Sequence, residues 1–320
     1  MVDAHDSKSC SERGGGSSPL SGTMKKKVLV ILGPTASGKS ALGVRLAKKF
    51  KGEVVSADSR QVYKGLDAGT GKITQAEMKS VPHHLLDVTD ARKYFSVSEY
   101  KILAEKALAT IVNKNKLPVV VGGTGFYIDA LTGAVNLPEV APNKAFRKKL
   151  EQYSAERLFK ILQKKDARRA KEIDPHNKVR IIRALEIIDA LGKVPPLRKS
   201  SAGQAPYDFI YIGLRPEQKE LDKKIYKRIL VRLKPMIREA RKLHKEGLSY
   251  KRMHDLGLEY RALSRLLQKK IAKDEMVDEL YKEIMKYSKR QETWFKRNKQ
   301  IRWFEPTKAK EIEKYLTSKL

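Results

Sequence analysis

Short apolar runs alternate with longer amphipathic segments along most of the chain after residue 24. Segments with apolar residues at helical spacing stand between most of these runs. The runs themselves are rich in β-branched residues and are predicted as strands: Val28–Leu32, Glu53–Ala57, His84–Val88, Pro118–Val121 and Phe209–Leu214. This alternation is typical of a parallel β-sheet covered by helices, so we predict an α/β fold.

One helix start is marked by its own sequence. The segment Ser96–Glu99 reads SVSE, a capping box in which the first and fourth side chains each satisfy a backbone N–H at the start of a helix. The apolar residues of the helix that follows include Ile102, Leu103, Leu108 and Ile111. We expect this helix to lead into the strand Pro118–Val121.

The same pattern divides the chain into regions. Residues 10–23 are mostly Ser, Gly and small polar residues without apolar periodicity, and residues 1–23 are predicted to form a disordered N-terminal extension. Residues 138–196 show helical patterns dense in Lys and Arg, with no good strand among them, and are predicted to form an all-helical insertion. Residues 24–137 and 197–320 are predicted to form the core domain, which is helical from Glu217 almost to its end.

The segment Gly33–Ser40 reads GPTASGKS and stands between the first predicted strand and a helix. A G-x-x-x-x-G-K-[ST] loop requires this strand–loop–helix context. Backbone N–H groups and the helix N-terminus then face an anion, Lys39 adds a positive charge, and the Ser40 hydroxyl can bind Mg²⁺. The loop predicts a site for a di- or triphosphate, and it leaves open whether the phosphates belong to a nucleotide.

Two other loops are expected at the same sheet edge, because ligands of parallel sheets bind at the carboxyl ends of the strands. Asp58 ends the second strand, where its carboxylate can bind Mg²⁺, accept a proton or cap the next turn. The aperiodic residues 59–72 that follow it are interpreted as a functional loop. The glycines of the segment 122–125 indicate either close approach of a ligand or tight packing.

A metal site is hard to assign from sequence. The strand Pro118–Val121 does not end in the metal-holding acid that a hydrolytic P-loop NTPase usually has, and Asp87 is the only other candidate. His83 and His84 are adjacent, and adjacent side chains of a strand face opposite ways, so a shared metal is disfavoured.

The charge of the chain indicates a polyanionic partner. The 320 residues include 68 Lys and Arg against 37 Asp and Glu, a formal net charge of +31. A generally basic surface or an anionic membrane would also explain this excess. The chain contains no apolar run of about 18 residues, so we predict no membrane span. The single cysteine, Cys10, excludes an internal disulfide and a cysteine-based zinc site, and we expect a cytoplasmic protein.

Seven segments occur in one order along the chain: GPTASGKS at 33–40, SADSRQVYKGLDAGTGK at 56–72, PHHLLD at 82–87, FSVSEY at 95–100, GGTGFY at 122–127, NKVRIIRALE at 177–186 and KRQETWF at 289–295. Together they resemble the tRNA dimethylallyltransferase family, also called tRNA isopentenyltransferases. The resemblance extends from about Lys26 to Phe304, and the segment SADSRQVY is specific to that family rather than to P-loop proteins at large.

The resemblance implies a fold and an activity. The fold is a P-loop NTPase-like parallel sheet flanked by helices, with an inserted all-helical tRNA-binding domain and a helical C-terminal region. The activity is transfer of a dimethylallyl group from dimethylallyl diphosphate to N6 of the adenosine directly 3′ of the anticodon, giving N6-isopentenyladenosine and diphosphate. The expected cofactor is Mg²⁺. The expected partners are dimethylallyl diphosphate and the tRNA anticodon stem-loop, with no membrane, and we expect a monomer.

The resemblance also implies roles for individual residues. Lys39, Asp58 and Arg228 are expected to be catalytic, with Asp58 accepting a proton from the adenine amino group and Arg232 as the alternative to Arg228 at the diphosphate. The expected diphosphate-binding residues are Gly33, Pro34, Thr35, Ala36, Ser37, Gly38, Lys39 and Ser40, of which Ser40 also holds Mg²⁺. The expected tRNA-binding residues are Asp58, Ser59, Arg60, Gln61, Thr124, Arg147, Asn177, Arg180, Arg183, Arg290 and Gln291.

Some positions are ambiguous or depart from the family pattern. Trp294 and Phe295 are as compatible with a protein core as with an RNA-binding surface. Gly257–Tyr260 reads GLEY where many relatives have Gly-Tyr followed by a basic residue and then an amide or acidic residue, so contacts from this turn are uncertain. The C-terminal Cys/His zinc finger of eukaryotic cytosolic relatives is absent from the sequence, which favours a bacterial-type or organellar enzyme.

Three other functions stay open at the level of sequence. A small-molecule P-loop kinase would use the same phosphate loop, but it would not need the basic insertion. An isopentenyltransferase of free adenine nucleotides has similar loops, and here the insertion and the long basic C-terminal helices favour a macromolecular RNA instead. A non-enzymatic RNA-binding module would leave the complete phosphate loop without a purpose.

Overall fold

A parallel β-sheet forms the centre of the computed structural model, which describes residues 25–196 and 206–320. In these residues the strand order is β3-β2-β4-β1-β5-β6, and every neighbouring pair is parallel. The strands are β1 Lys26–Leu32, β2 Gly52–Ser56, β3 His83–His84, β4 Leu117–Gly122, β5 Tyr207–Leu214 and β6 Arg302–Phe304. The predicted N-terminal extension, residues 1–23, lies outside the described residues.

The helices fall into three groups along the chain. Those between the first four strands and directly after β4 are α1 Lys39–Lys49, α2 Gln75–Met78, α3 Val97–Asn113 and α4 Gly125–Leu131. Those of the insertion are α5 Lys144–Glu151, α6 Ala155–Lys165, α7 Ala167–Glu172 and α8 Lys178–Leu191. Those of the C-terminal region are α9 Gln218–Lys245, α10 Tyr250–Leu256, α11 Leu258–Leu267, α12 Lys273–Phe295 and α13 Ala309–Thr317. In the described part of the chain, no helix is long and apolar enough to cross a membrane.

Both faces of the sheet are covered, which explains why β1 is apolar throughout its buried part. Alternate residues of a strand point to opposite faces. Val28 and Val30 of β1 belong to the apolar cluster that includes residues of α3 and α4, whereas Leu29 and Ile31 belong to the cluster that includes residues of α1 and α13. The α/β architecture predicted from the sequence is therefore confirmed.

The predicted strands agree with the structure in four cases, and the fifth prediction was wrong over most of its length. Only His83–His84 pairs with β2, and the expected strand His84–Val88 ends after its first residue. Leu85 and Asp87 have φ angles of 64° and 56°, which lie outside the β region and turn the chain away from the sheet. The short edge strand Arg302–Phe304 was not predicted.

The predicted capping box at the start of α3 is confirmed. The Ser96 hydroxyl accepts a hydrogen bond from the backbone N–H of Glu99, and the Glu99 carboxylate accepts one from the backbone N–H of Ser96. The helix therefore begins where its sequence signal stands.

The insertion is helical in the described residues, as predicted, and its four helices share an apolar cluster of their own that includes Leu158, Leu162, Ile181 and Leu185. The boundaries of the insertion, residues 138–196, stay a prediction.

Glu186 on α8 is the charged centre of this insertion. Its side chain is 2% exposed and accepts two hydrogen bonds from the guanidinium group of Arg147, at 2.8 and 2.7 Å. It also accepts hydrogen bonds from Arg183 and from the backbone N–H of Asn143. Burial by itself raises the pKa of a carboxyl group, but these hydrogen bonds outweigh burial and lower the pKa of Glu186 to about 2. Arg147 on α5 is thus bonded to α8.

The C-terminal helices pack against the loop that follows β2. Leu221, Ile225 and Ile229 of α9 lie on one face of the helix and share an apolar cluster with Val62 and Leu66. Arg232 and Glu239 of the same helix form hydrogen bonds with this loop as well.

Replacing Glu186 by Gln tests the role of the buried carboxylate. We expect the local free energy of unfolding of α8 to fall by about 2 kcal/mol at pH 7, because a neutral amide leaves the charges of Arg147 and Arg183 uncompensated. The pKa of Glu186 lies below its ordinary value of 4.5. Its stabilisation is therefore complete above about pH 5 and declines as the pH falls toward the folded-state pKa, so wild type and variant should converge at low pH.

Amide hydrogen exchange of the α8 backbone, measured at several pH values, gives this free energy. The control is Glu139→Gln, which removes an exposed carboxylate from the same insertion. Wild-type protection of α8 in the Glu186 variant at pH 7 would contradict the assignment.

Candidate active site

A cavity of about 340 Å³ lies at the carboxyl ends of β1, β4 and β2. These strands are neighbours in the sheet, so the loops that follow them meet at one edge. Residues predicted for the site and residues not predicted for it line the cavity together: Thr35, Ala36, Gly38, Lys39, Ser40, Ala41, Asp58, Gln61, Thr70, Gly71, Val121, Gly122, Gly123, Lys224, Arg228, Tyr287 and Gln291.

The loop Gly33–Ser40 has a backbone conformation suited to an anion. Ala36 and Gly38 have φ angles of 59° and 91°, in the left-handed region. Left-handed residues alternating with right-handed ones turn successive N–H groups toward one point. Gly33 passes so close to β5 that a Cβ atom built on it would lie 2.5 Å from the carbonyl oxygen of Leu214, so only glycine fits there.

The Lys39 ammonium group lies inside the curve of this loop. It donates a hydrogen bond to the carbonyl oxygen of Pro34 and lies 3.5 Å from the Ser37 hydroxyl. Burial lowers the pKa of Lys39 to about 7, with Asp58 opposing the shift and Arg228 adding to it. A positive group, a carboxylate and a guanidinium are thus close enough to influence one another in one cavity.

Asp58 uses one carboxylate oxygen to shape the turn that follows β2. Its Oδ1 atom accepts hydrogen bonds from the backbone N–H groups of Arg60 and Gln61, at 2.8 and 3.3 Å. Among residues 25–196 and 206–320, none donates a hydrogen bond to Oδ2. Asp58 thus caps the turn with Oδ1, which is one of the roles that the sequence left open.

The loops after β2 and β4 are bonded directly to each other. The Ala57 carbonyl oxygen accepts a hydrogen bond from the backbone N–H of Thr124 at 3.1 Å, and the Thr124 hydroxyl accepts one from the backbone N–H of Ser59 at 3.0 Å. A Cβ atom on Gly122 would lie 2.1 Å from the Ala57 oxygen, and one on Gly125 would lie 2.1 Å from the Trp294 ring. Tight packing explains both glycines, and Gly122 also lines the cavity.

Gln291 of α12 joins two of these loops. Its side-chain oxygen accepts a hydrogen bond from the backbone N–H of Thr35, and its side-chain N–H donates one to the carbonyl oxygen of Gly123, both at 2.8 Å. The side chain is buried. Both ends of its amide are engaged within the protein, although the sequence predicted Gln291 as a tRNA contact.

The two arginines of α9 reach different parts of the site. Arg228 Nη1 donates to the Thr35 hydroxyl at 3.3 Å, beside the phosphate loop. Arg232 donates to the carbonyl oxygen of Ala68 through Nε at 2.7 Å, and its Nη2 also contacts the carbonyl oxygen of Gly69. Burial lowers the pKa of Arg232 to about 10, with the charge of Arg228 adding to the shift. Of the two candidates for the diphosphate arginine, Arg228 is the one at the cavity.

Eight cavity residues were not given individual roles from the sequence: Ala41, Thr70, Gly71, Val121, Gly122, Gly123, Lys224 and Tyr287. Lys224 and Tyr287 each precede a predicted site residue by four positions on the same helix, a spacing that places them on one face. This spacing is the sequence feature from which their place at the cavity could have been predicted. Burial raises the pKa of Tyr287 to about 12, and the nearby Asp58 carboxylate adds to the shift, so the Tyr287 hydroxyl is neutral near pH 7.

The predicted tRNA contacts of the insertion include residues with structural roles and one exposed arginine. The Asn177 side chain caps α8 by accepting a hydrogen bond from the backbone N–H of Arg180 at 3.1 Å. Arg147 and Arg183 hold Glu186, with about a third of each side chain exposed. Arg180 is exposed on the first turn of α8.

The remaining predicted contacts lie in the core domain. Arg60 is half-buried, and Arg290 is exposed, with its guanidinium 5.8 Å from the Tyr287 ring centroid. Phe295 is buried in the apolar cluster of one sheet face, and Trp294 is half-buried with its indole N–H donating to Asp129 at 3.0 Å. The core interpretation of the Trp-Phe pair therefore fits the structure.

Comparison with known proteins gives a consistent result. The family model described as IPP transferase matches residues 61–298. A tRNA dimethylallyltransferase of Halalkalibacterium halodurans is 37% identical over 311 residues, which cover 93% of this chain and 98% of that protein. A tRNA dimethylallyltransferase of Geobacillus kaustophilus is also 37% identical, with the same two coverages.

Solved structures share the fold over most of the chain. The tRNA isopentenylpyrophosphate transferase of Bacillus halodurans is similar with a TM-score of 0.69 and 36% identity, covering 92% of this chain and 97% of that one. A eukaryotic dimethylallyltransferase acting on tRNA is similar in fold with a TM-score of 0.75 at 23% identity, covering 89% of this chain and 75% of that one. The phosphate loop, the cavity beside it and these similarities show that the chain is a transferase that belongs to the IPP transferase family.

Proposed function

We propose that this protein transfers a dimethylallyl group from dimethylallyl diphosphate to N6 of the adenosine directly 3′ of the anticodon of tRNA. The observation that carries the proposal is the shared cavity, in which the phosphate loop and Arg228 lie with the carboxylate of Asp58. A site for an anionic leaving group thus adjoins a proton acceptor. The relatives, named for dimethylallyl transfer to tRNA, favour this reaction over phosphoryl transfer.

The phosphate loop is suited to stabilise a leaving diphosphate. As the C–O bond of the allylic substrate breaks, negative charge develops on the diphosphate oxygens. The N–H groups of Gly33–Ser40 are already oriented, and Lys39 and Arg228 add positive charge, so little rearrangement accompanies the reaction. Stabilisation by groups fixed in advance is the largest contribution that such a site makes to a rate.

Asp58 is suited to accept the proton of the attacking amine. The exocyclic N6 of adenine is a poor nucleophile until its proton has an acceptor, and Oδ2 of Asp58 is the carboxylate oxygen left unbonded by the turn. In the step that we propose, the N6–C bond forms, the C–O bond breaks, the proton moves to Asp58 and diphosphate leaves.

The residues of the cavity fit Mg²⁺ as the cofactor. Mg²⁺ typically takes one or two protein oxygen ligands and completes its shell with water and substrate phosphate oxygens. The Ser40 hydroxyl, on the first turn of α1, lines the cavity beside the phosphate loop and would hold the ion. When bound there, Mg²⁺ supplies positive charge to the diphosphate. Within the described residues, no cluster of three or more His, Cys, Asp or Glu side chains offers a separate site.

The tRNA must present its adenine to this cavity, which requires the base to leave the stack of the anticodon loop. We assign base and backbone contacts near the cavity to Asp58, Ser59, Arg60, Gln61, Thr124 and Arg290, and we assign Gln291 the role of holding the loops of Thr35 and Gly123. We assign phosphate contacts of the insertion to Arg147, Asn177, Arg180 and Arg183. The net charge of +31 supports a polyanionic substrate, and the protein acts as a cytoplasmic monomer in this proposal.

The experiment that tests the function combines the protein with dimethylallyl diphosphate, Mg²⁺ and unmodified tRNA, followed by mass analysis of the nucleosides. We expect a prenylated adenosine. Phosphoryl transfer from ATP without any prenyl transfer would show that the protein is a kinase. Prenylation of a free adenine nucleotide but not of tRNA would show that the nucleotide is the substrate.

Replacing Asp58 by Asn separates proton transfer from loop structure. The Asn side-chain oxygen still accepts the N–H groups of Arg60 and Gln61, but the amide is not a base. We expect kcat to fall by about 10² to 10⁴ with the fold retained. Single-turnover rates and circular dichroism measure the two effects, and a variant with near-normal turnover would show that Asp58 is not the acceptor.

Replacing Arg228 by Gln tests the diphosphate contact. Loss of a charge-assisted hydrogen bond should raise KM for dimethylallyl diphosphate about tenfold. The matched control is Lys227→Gln, which removes one exposed positive charge from the adjacent position of α9. Equal effects of the two substitutions would mean that only the general charge of α9 matters.

Replacing Arg180 by Ala tests the insertion as an RNA-binding surface. If Arg180 contacts one phosphate, the slope of log affinity for tRNA against log salt concentration should decrease by about 1. The control is Lys310→Ala on α13, where the same charge is lost from an exposed position on another helix. Fluorescence anisotropy over a salt series measures both slopes, and an unchanged slope for Arg180→Ala contradicts the contact.

A further inference from the structure

The segment Leu66–Lys72 reaches the cavity through Thr70 and Gly71 and lacks regular secondary structure. Its backbone is instead held by one carboxylate. Glu239 of α9 accepts hydrogen bonds from three successive backbone N–H groups: those of Asp67, Ala68 and Gly69, at 2.8, 2.6 and 2.8 Å. Three donors from one turn around a single carboxylate fix both the position and the orientation of that turn.

Two other side chains complete this arrangement, and we call Arg232, Glu239 and Tyr260 the loop clamp. Arg232 lies seven residues before Glu239, about two helical turns, and therefore on about the same side of α9. It donates to the carbonyl oxygens of Ala68 and Gly69, whose N–H groups bond Glu239. The buried Tyr260 hydroxyl donates to Glu239 Oε1.

The clamp is connected to the cavity through Gly71. A Cβ atom built on Gly71 would lie 2.9 Å from Arg232 Nη1 and 3.3 Å from Arg228 Nη2, so the loop backbone runs beside both guanidinium groups. Arg228 in turn contacts Thr35 of the phosphate loop. Any movement of the clamped turn would therefore alter the wall that faces Arg228 and the phosphate loop.

We propose that Arg232 and Glu239 are positioning residues that fix the Thr70–Gly71 wall of the cavity relative to Arg228. This inference rests on the proposed function, because it assigns the clamp an effect on the transfer step. It also gives Arg232 a role different from that of a diphosphate ligand: its guanidinium holds loop carbonyl oxygens. A displacement of about 1 Å in a group that orients reactants can cost about 10² in rate.

The test compares Glu239→Ala with Glu246→Ala, which removes an exposed carboxylate just after the same helix. We expect Glu239→Ala to lower kcat about 30-fold and to change KM for dimethylallyl diphosphate less than about threefold, because the phosphate loop itself is intact. Amide hydrogen exchange should show lost protection at residues 67–69 and unchanged protection in β1 and β4. Glu246→Ala should match wild type in all three measurements.

A conservative variant distinguishes positioning from simple loss of packing. In Glu239→Gln, the side-chain oxygen still accepts the N–H groups of Asp67 and Ala68. The N–H₂ group that replaces Oε1 can donate to the Tyr260 oxygen, but it leaves the N–H of Gly69 and the O–H of Tyr260 without their acceptor. We expect kcat within about fivefold of wild type, and protection restored at Asp67 and Ala68.

Three outcomes would overturn the inference. They are normal kcat in Glu239→Ala, normal protection at residues 67–69 in that variant, and loss of protection throughout the sheet, which would make Glu239 a residue of global stability. Failure of the wild-type protein to prenylate tRNA would reject the proposed function and with it the effect on kcat. The exchange data would still decide whether Glu239 holds the turn.

Discussion

The close approach of β2 and β4 at their carboxyl ends is the constraint on which the rest of the site depends. Gly122 lies against the carbonyl group of Ala57, where a side chain would collide with the oxygen atom. This contact brings the turn of Asp58 beside the loop of Thr124, and the adjacent strand β1 delivers the phosphate loop to the same edge. The Asp58 carboxylate and the phosphate loop thereby line one cavity.

Two helices of the C-terminal region, α9 and α12, contact these loops with polar side chains. Gln291 of α12 bonds the phosphate loop to Gly123, and α9 contributes Arg228 to the phosphate loop. In each contact, a polar side chain forms a hydrogen bond with a backbone or hydroxyl group of an irregular segment. Buried loops require such bonds, because their backbone groups have no partners in regular secondary structure. The site is therefore assembled from a sheet edge and two long helices, and its irregular loops are fixed by residues distant in sequence.

The parts of this structure that were predictable are those encoded locally. The phosphate loop, the capping box at Ser96 and four strands follow from short-range patterns, and each was found where expected. The strand predicted after His84 failed because a left-handed Leu85 is not visible in residue propensities. The partner of Thr35 lies 256 positions away at Gln291, and no local pattern indicates that pairing. Tyr287 lies four positions before Gln291, a spacing that puts both on one face of a helix. This spacing predicts that Tyr287 lines the cavity only if Gln291 is already known to lie there.

The turn held by Glu239 is a second backbone concavity of the kind that binds anions, in the same protein as the phosphate loop. The two concavities hold different side chains. The concavity at residues 67–69 is filled by the Glu239 carboxylate of the protein itself, so a free anion in solution would have to compete with a tethered one there. The phosphate loop instead holds the Lys39 ammonium group, whose positive charge attracts anions that the Glu239 carboxylate would repel. Two similar backbone shapes thus hold side chains of opposite charge.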